Sequence, residues 1–161
     1  RFDRTDVIAP EAVAPRQFRN FDRYVARGIE LEAAWQATNT VRIAGNLSRM
    51  HGSDSSFRDL AIPLRQAYLR VDWAFLPKWN WNLQANWFAR RPLPAGDPRT
   101  ELGAVTLADT TLRYFHGSEW ELAASIRNLF DKDAREYSSK QLPDNLPLPR
   151  RNFFAELRYK F

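Results

Sequence analysis

The sequence predicts an all-β protein, an antiparallel up-and-down transmembrane β-barrel segment. Three observations carry that expectation. Apolar and polar residues alternate with period two through most of the chain. Short and long connections alternate between the strand-like stretches. Aromatic residues gather beside the short connections.

The composition fits the same class. A chain of 161 residues is long enough for one domain with a sizeable core. Aromatics make up 14% of it, with six Trp and eleven Phe, yet mean hydropathy is −0.55. Large apolar side chains are therefore interleaved with strongly polar ones. A soluble helical core would use more Met than the single one present. There is no run of about 18 apolar residues, so no transmembrane helix is expected. A transmembrane barrel hides its hydrophobicity from such averages. The absence of cysteine excludes disulfides and Cys-ligated metal sites. The net charge is +5, but the basic residues do not cluster on one element, which argues against nucleic acid as a partner. No signal peptide opens the chain, and Arg1–Ile8 already reads like the middle of a strand. The chain is expected to be truncated at its N-terminus.

Taken in order, Tyr24–Gln36 and Val41–His51 fit strands with weaker alternation. Between Gln66 and Phe75, Ala67, Leu69, Val71, Trp73 and Phe75 oppose Gln66, Tyr68, Arg70 and Asp72. Between Asn80 and Arg90, Trp81, Leu83, Ala85, Trp87 and Ala89 oppose Asn80, Asn82, Gln84 and Asn86. Leu107–His116 is weaker again. From Glu119 to Phe130 the apolar set is Trp120, Leu122, Ala124, Ile126 and Phe130. In the closing strand, Asn152–Phe161, it is Phe153, Ala155, Leu157, Tyr159 and Phe161.

The short connections are Ala37–Thr40, Pro77–Lys78 and Gly117–Ser118. The long ones, Gly52–Leu64, Pro92–Thr106 and Asp131–Arg150, hold most of the Pro, Asp and Ser. Outer-membrane barrels show this asymmetry, with short periplasmic turns and longer extracellular loops. A periplasmic aromatic girdle is therefore expected from Trp35, Trp73, Trp79, Trp81, Trp120 and Tyr159. Trp87, Phe130 and Phe153 can supply the other girdle. The stretch from Trp120 to Phe130 would be roughly 33 Å of strand. Tilted by about 40°, it spans roughly 25 Å, the height of an apolar band. The expected location is a bacterial outer membrane, crossed several times.

The segment Ser125-Ile126-Arg127-Asn128-Leu129-Phe130-Asp131 resembles the penultimate strand of TonB-dependent outer-membrane receptors, which carry an "NLFD" motif there. Arg27-Gly28-Ile29-Glu30-Leu31-Glu32 with Trp35 is similar to that family's "GvEle…W" strand. The closing strand, ending on Phe161, completes the pattern. One departure is Glu136-Tyr137, in place of a Tyr immediately after the Asp. The resemblance implies that residues 1–161 are the C-terminal part of a barrel of about 22 strands with a plugged lumen. They would supply about seven full strands and a partial one, antiparallel as such barrels are. The plug domain, its TonB box and the earlier strands would lie outside this chain. The full receptor would import a scarce nutrient, most often a ferric siderophore, with energy relayed by the TonB complex. Its other partners would be outer-membrane lipid, lipopolysaccharide and the barrel assembly machinery.

No catalytic constellation is visible: there is no GxSxG or HExxH, and neither His51 nor His116 has a metal partner nearby in sequence. No enzyme activity, cofactor or metal site is expected. Alternation turns Glu30, Glu32, Arg70, Asp72, Arg113 and Arg127 toward the lumen. Glu30 and Glu32 should pair with Arg42 or Arg70, Arg113 with Asp109, and Arg127 with Glu121. The loops hold Arg58, Arg90, Arg91, Arg99, Lys140, Arg150 and Arg151, whose cations suit an anionic chelate or lipopolysaccharide phosphate. Pro143, Pro147 and Pro149 should stop strand pairing and stiffen the last loop. Phe153, Leu157, Tyr159 and Phe161 resemble the C-terminal signal read by the assembly machinery. Two other architectures compete. A small complete eight-stranded barrel, adhesive or structural, would pair Arg1–Pro10 with the Phe161 strand. A soluble lipocalin-like binding barrel would bury Trp81, Leu83 and Trp87 and expose Asn82, Gln84 and Asn86.

Overall fold

The computed structural model describes residues 2–4, 7–10, 18–21, 24–52, 63–93, 96–138 and 142–161, with side chains from Arg27 onward. The strands are β1 (Phe2–Arg4), β2 (Val7–Pro10), β3 (Phe18–Phe21), β4 (Tyr24–Gln36), β5 (Val41–Gly52) and β6 (Arg65–Leu76). They continue as β7 (Trp79–Phe88), β8 (Val105–His116), β9 (Trp120–Arg127), β10 (Arg135–Glu136), β11 (Leu146–Pro147) and β12 (Asn152–Tyr159). The main sheet has the order β1-β4-β5-β6-β7-β8-β9-β12, and every pairing in it is antiparallel. Seven long strands form the meander that the alternation predicts.

Register makes the two faces continuous. Leu31 opposes Leu47, Leu47 opposes Ala67, and Ala67 opposes Trp87. Farther along, Leu112 opposes Ala124 and Ala124 opposes Ala155. Because side chains alternate with period two, each such row stays on one face. That face is apolar and exposed: Leu31 is 62% accessible, Leu69 49% and Phe153 71%. The opposite face carries Glu30, Glu32, Asn46, Arg70, Asp72, Asn82 and Gln84. Among them Asn82 is only 2% accessible. Polar groups inside and apolar groups outside suit a sheet that faces lipid.

Neither competing architecture is built. Phe2–Arg4 pair with Tyr24–Ala26, and Val7–Pro10 pair with β3 in a separate two-stranded sheet. Strand β12 pairs with β9, at the sheet edge opposite β1. The lipocalin arrangement needed Trp81, Leu83 and Trp87 turned inward, but they share the open apolar face with Leu69 and Val71.

Two expectations are corrected. β9 stops at Arg127, so Asn128–Phe130 leave the strand instead of extending it. Positive φ at Asn128 (50°) and Asp131 (51°) ends the extended run, which alternation cannot register. The Trp120–Phe130 span is accordingly shorter than a ten-residue strand. Prolines also do not exclude pairing from the last loop: Pro147 opposes Arg135 in the β10–β11 ribbon. A two-stranded ribbon leaves one side of each strand free, so the missing N–H costs no ladder bond.

Apart from Ser48, Asn82 and Ala108, the buried described residues lie outside the long strands. Ala89, Leu93, Leu102 and Ala134 are buried together with the polar Arg91, Asn128, Ser138 and Asn145. All eight belong to the β7–β8 connection or to the β9–β12 connection.

Candidate functional site

The two connections form one lobe at the end of the sheet away from the short turns. The first folds back on itself through a bridge, with Arg91 N–H donating to Leu102 O at 2.9 Å and Leu102 N–H to Arg91 O at 3.2 Å. That bridge aims the Arg91 side chain across to the second connection. Its Nη1 donates to Glu136 Oε2 at 2.8 Å and its Nη2 to Arg135 O at 2.7 Å. The guanidinium is nearly sealed from solvent, with a side-chain exposure of 6%. Among the described residues its Nε has no hydrogen-bond partner.

Arg99 makes the second crossing. Its Nη1 donates to Ser138 Oγ at 2.6 Å and its Nη2 to Ser138 O at 3.0 Å. The same guanidinium lies 5.4 Å from the Tyr137 ring centroid. Asp97 holds it in place through Nε and Nη2, at 2.9 and 2.6 Å. The hydrogen bond to Asp97 raises the Arg99 pKa, so this cation stays charged at any working pH.

The base of the second connection is closed by the Asn128-Leu129-Phe130-Asp131 turn. Asn128 Oδ1 accepts from Lys132 N–H at 2.9 Å, while its Nδ2 donates to Lys132 O and Pro149 O. Its own N–H donates to Asp109 Oδ1 at 2.8 Å. Asp131 takes a bidentate pair from Arg150, at 2.9 and 2.8 Å, and the Arg151 N–H at 3.0 Å. The Arg150 guanidinium, and then the Arg151 N–H, hold the Asp131 carboxyl well below the usual carboxylate range. The motif that suggested a family thus ties residues 128–132 to 149–151. Phe130 stays 62% exposed on this turn.

Between the two connections lies a polar cleft of about 760 Å³. Of the basic loop residues expected to meet ligand, Arg91 and Arg99 line this cleft but are engaged by the protein itself. Arg150 is engaged at the clip. Arg90 pairs with Glu101 at 3.1 Å on the surface, and Arg151 is exposed. Arg58 and Lys140 lie outside the described residues. Sequence reasoning missed Lys132, Arg135 and Asp144, which line the same cleft. Their signal was charge inside a loop that also carries the NLFD turn.

The polar face forms a network, with partners other than those expected. Arg70 pairs with Asp72 on its own strand, at 2.7 Å, and not with Glu30 or Glu32. Among the described residues Glu30 and Glu32 have no ion pair. In register they oppose Ser48 and Asn46. Asp72 accepts from Asn82, Asn82 accepts from Gln84, and Gln84 accepts from Tyr68. Arg113 pairs with Glu121 at 3.3 Å, which also faces Arg158. Arg127 covers the Phe154 ring at 4.6 Å in place of meeting Glu121. Asp109 is spent on Asn128. In each case an i,i+2 or cross-strand neighbour is nearer than the expected partner.

Beside the short turns the structure brings an aromatic chain together. Ring centroids are 6.1 Å apart for Trp73–Trp81, 4.8 Å for Trp79–Tyr114, 4.6 Å for Trp120–Tyr159 and 5.0 Å for Tyr159–Phe161. Trp35 is 65% exposed before its own turn. Phe153, Leu157 and Tyr159 share the apolar face, and Phe161 is fully exposed after them.

An exposed apolar wall, an aromatic belt at the turn ends and a polar inner face define a piece of transmembrane β-barrel. A family model described as "TonB dependent receptor-like, beta-barrel" matches residues 1–129. The chain belongs to the TonB-dependent receptor β-barrel family. No curated protein matches it. Among solved structures it is similar to the ferric enterobactin receptor PfeA of Pseudomonas aeruginosa, with 16% identity and a TM-score of 0.80. That match covers 99% of this chain and 28% of PfeA. The ferric-catecholate import receptor Fiu of E. coli K12 matches at 16% identity and TM-score 0.75, over 99% of this chain and 24% of Fiu. The copper transporter OprC matches at 20% identity and TM-score 0.73, over 99% and 28%. The chain therefore spans about a quarter of the length of these structures, and the likeness shows the fold.

Proposed function

We propose that this chain is the closing wall of a TonB-dependent outer-membrane receptor that imports a ferric siderophore. The observation that carries the reading is the sheet with an exposed apolar face, an aromatic belt and a polar inner network, in a chain of this family. In the full receptor the short turns face the periplasm and the two-connection lobe faces outward. The apolar face meets lipid and, at its outer rim, lipopolysaccharide. The polar face, with Glu30, Glu32, Arg70, Asp72, Arg113 and Arg127, lines the lumen beside a plug that couples to TonB. Phe153, Leu157, Tyr159 and Phe161 are read by the assembly machinery during insertion.

Uptake tests this reading. Cells carrying the full receptor should accumulate radiolabelled iron from a ferric siderophore, and only when TonB is intact. Iron uptake that persists without TonB contradicts it. The copper transporter among the similar structures supplies a second arm. TonB-dependent uptake of copper, with none of iron, replaces the siderophore by a metal-ion cargo.

A further inference from the structure

We propose that the cleft between the two loops is a preformed site for an oxygen-rich, carboxylate-bearing metal chelate, recognised by charge and hydrogen bonds instead of ring stacking. The inference rests on the import reading above and narrows its substrate class.

The cleft's volume of about 760 Å³ suits a small-molecule ligand, for which pockets run from about 300 to 1,000 Å³. Both loops build it: Arg91, Arg99 and Glu101 from one, and Lys132, Arg135 and Asp144 from the other. Its two walls are already joined before any ligand arrives. The buried Arg91 crosses to Glu136 and Arg135, and Arg99 crosses to Ser138. Ser138 in turn donates to Asp144 O at 2.6 Å, which fixes the backbone of that wall. A ligand entering a fixed site does not have to order the loops first.

The free chemistry of the walls selects the ligand. Three of the four cations have partners: Arg91 with Glu136, Arg99 with Asp97, and Arg135 with Asp133 at 3.7 Å. Among the described residues the Lys132 ammonium has no ion pair, and neither has the Asp144 carboxylate. Arg91 lines the cleft as well, but its guanidinium is sealed and braces the walls instead of meeting a ligand. A free ammonium suits carboxylate oxygens. The Asp144 carboxylate suits a hydroxyl or N–H on the same ligand. None of the described wall residues is aromatic. Tyr137, the nearby ring, is occupied by Arg99. A flat aryl chelator finds charges there and no stacking face.

The test uses the full receptor, purified in detergent, with ferric citrate as the carboxylate probe and a ferric tris-catecholate as the aryl probe. Ferric citrate is expected to bind more tightly. Lys132→Glu, on an exposed side chain, is expected to weaken it by about tenfold or more. Lys78→Glu makes the same charge change at a short turn, at the far end of the sheet, and is expected to leave the affinity within about twofold. Tighter binding of the catecholate, or equal losses from Lys132→Glu and Lys78→Glu, overturns the proposal. If the catecholate binds and its iron is imported, the import reading stands and only the substrate class falls. If neither ferric chelate binds, the proposal falls, and the import reading is decided separately by TonB-dependent iron uptake.

Discussion

Asn128 and Asp131 each hold a left-handed backbone, a region that most side chains enter at a cost of roughly 1–2 kcal/mol. Short polar side chains tolerate it by bonding to nearby backbone, as both do. Asn128 is buried, and Asn128→Ala removes the partner of the Lys132 N–H and of Pro149 O, while Lys132 O keeps the Ala134 N–H. The expected loss is about 1–3 kcal/mol, seen as an earlier urea midpoint in a gel band-shift assay of the folded receptor. An unchanged midpoint would contradict the clip. Asp131 gives a pH prediction. Its folded pKa is depressed, so its contribution is full above the unfolded value near ~3.9. That contribution is lost as pH falls toward the folded value. Pepsin should spare the 132–149 loop at pH 4 and cut it faster at pH 2, beyond the enzyme's own change in rate on a control substrate. Equal resistance at both would count against the Arg150 pair. At this scale the sequence was least legible. Alternation extended β9 through Phe130 because it registers apolar spacing and not side-chain bonds to backbone. Arg91 was offered to a ligand because nothing local reveals Glu136, which reaches it from another loop.

The long strands were legible to within a few residues, through clean period-two alternation in β6, β7, β9 and β12 and a weaker one in β4, β5 and β8. The two-residue strands β10 and β11 have no room for a pattern and were read as loop. The same face logic yields a paired substitution. Leu69 lies mid-strand on the apolar face, and Asn46 lies on the polar one, opposite Tyr68. Leu69→Arg should cost about 2–4 kcal/mol if that face meets the bilayer core. Asn46→Arg should cost far less. Folded yield in liposomes measures both, and comparable losses would reject the assigned faces. At Gly45 there is no room for a side chain beside β6, because a Cβ there would sit 2.8 Å from Tyr68 O. Gly45→Val should destabilise the pair by about 1–3 kcal/mol, again read from the urea midpoint. Wild-type stability would show that the strands can part freely at that point.

For the molecule as a whole, burial is inverted relative to a soluble protein: the sheet exposes Leu, Ile and Phe, while the loops hold the compact core. The sequence signalled the first half through its aromatics and alternation. The second half was hidden, because that core is assembled from residues about 40 positions apart, such as Arg99 and Ser138. Phe161 belongs to this scale, since it is fully exposed and among the described residues its one ring contact is with Tyr159. With so little packing to lose, Phe161→Ala in the full receptor should leave stability nearly intact while lowering the amount that reaches the outer membrane. Normal surface levels would remove the assembly role.

The clip at Asn128 and Asp131 has a consequence for how such receptors diversify. It pins both ends of a long excursion to each other, so the strands below do not register what happens above. The entropy of closing a loop grows only slowly with its length. Residues 133–148 can therefore be lengthened, shortened or exchanged without disturbing β9 or β12. The polar turn acts as a socket, and the loop above it as an interchangeable cassette.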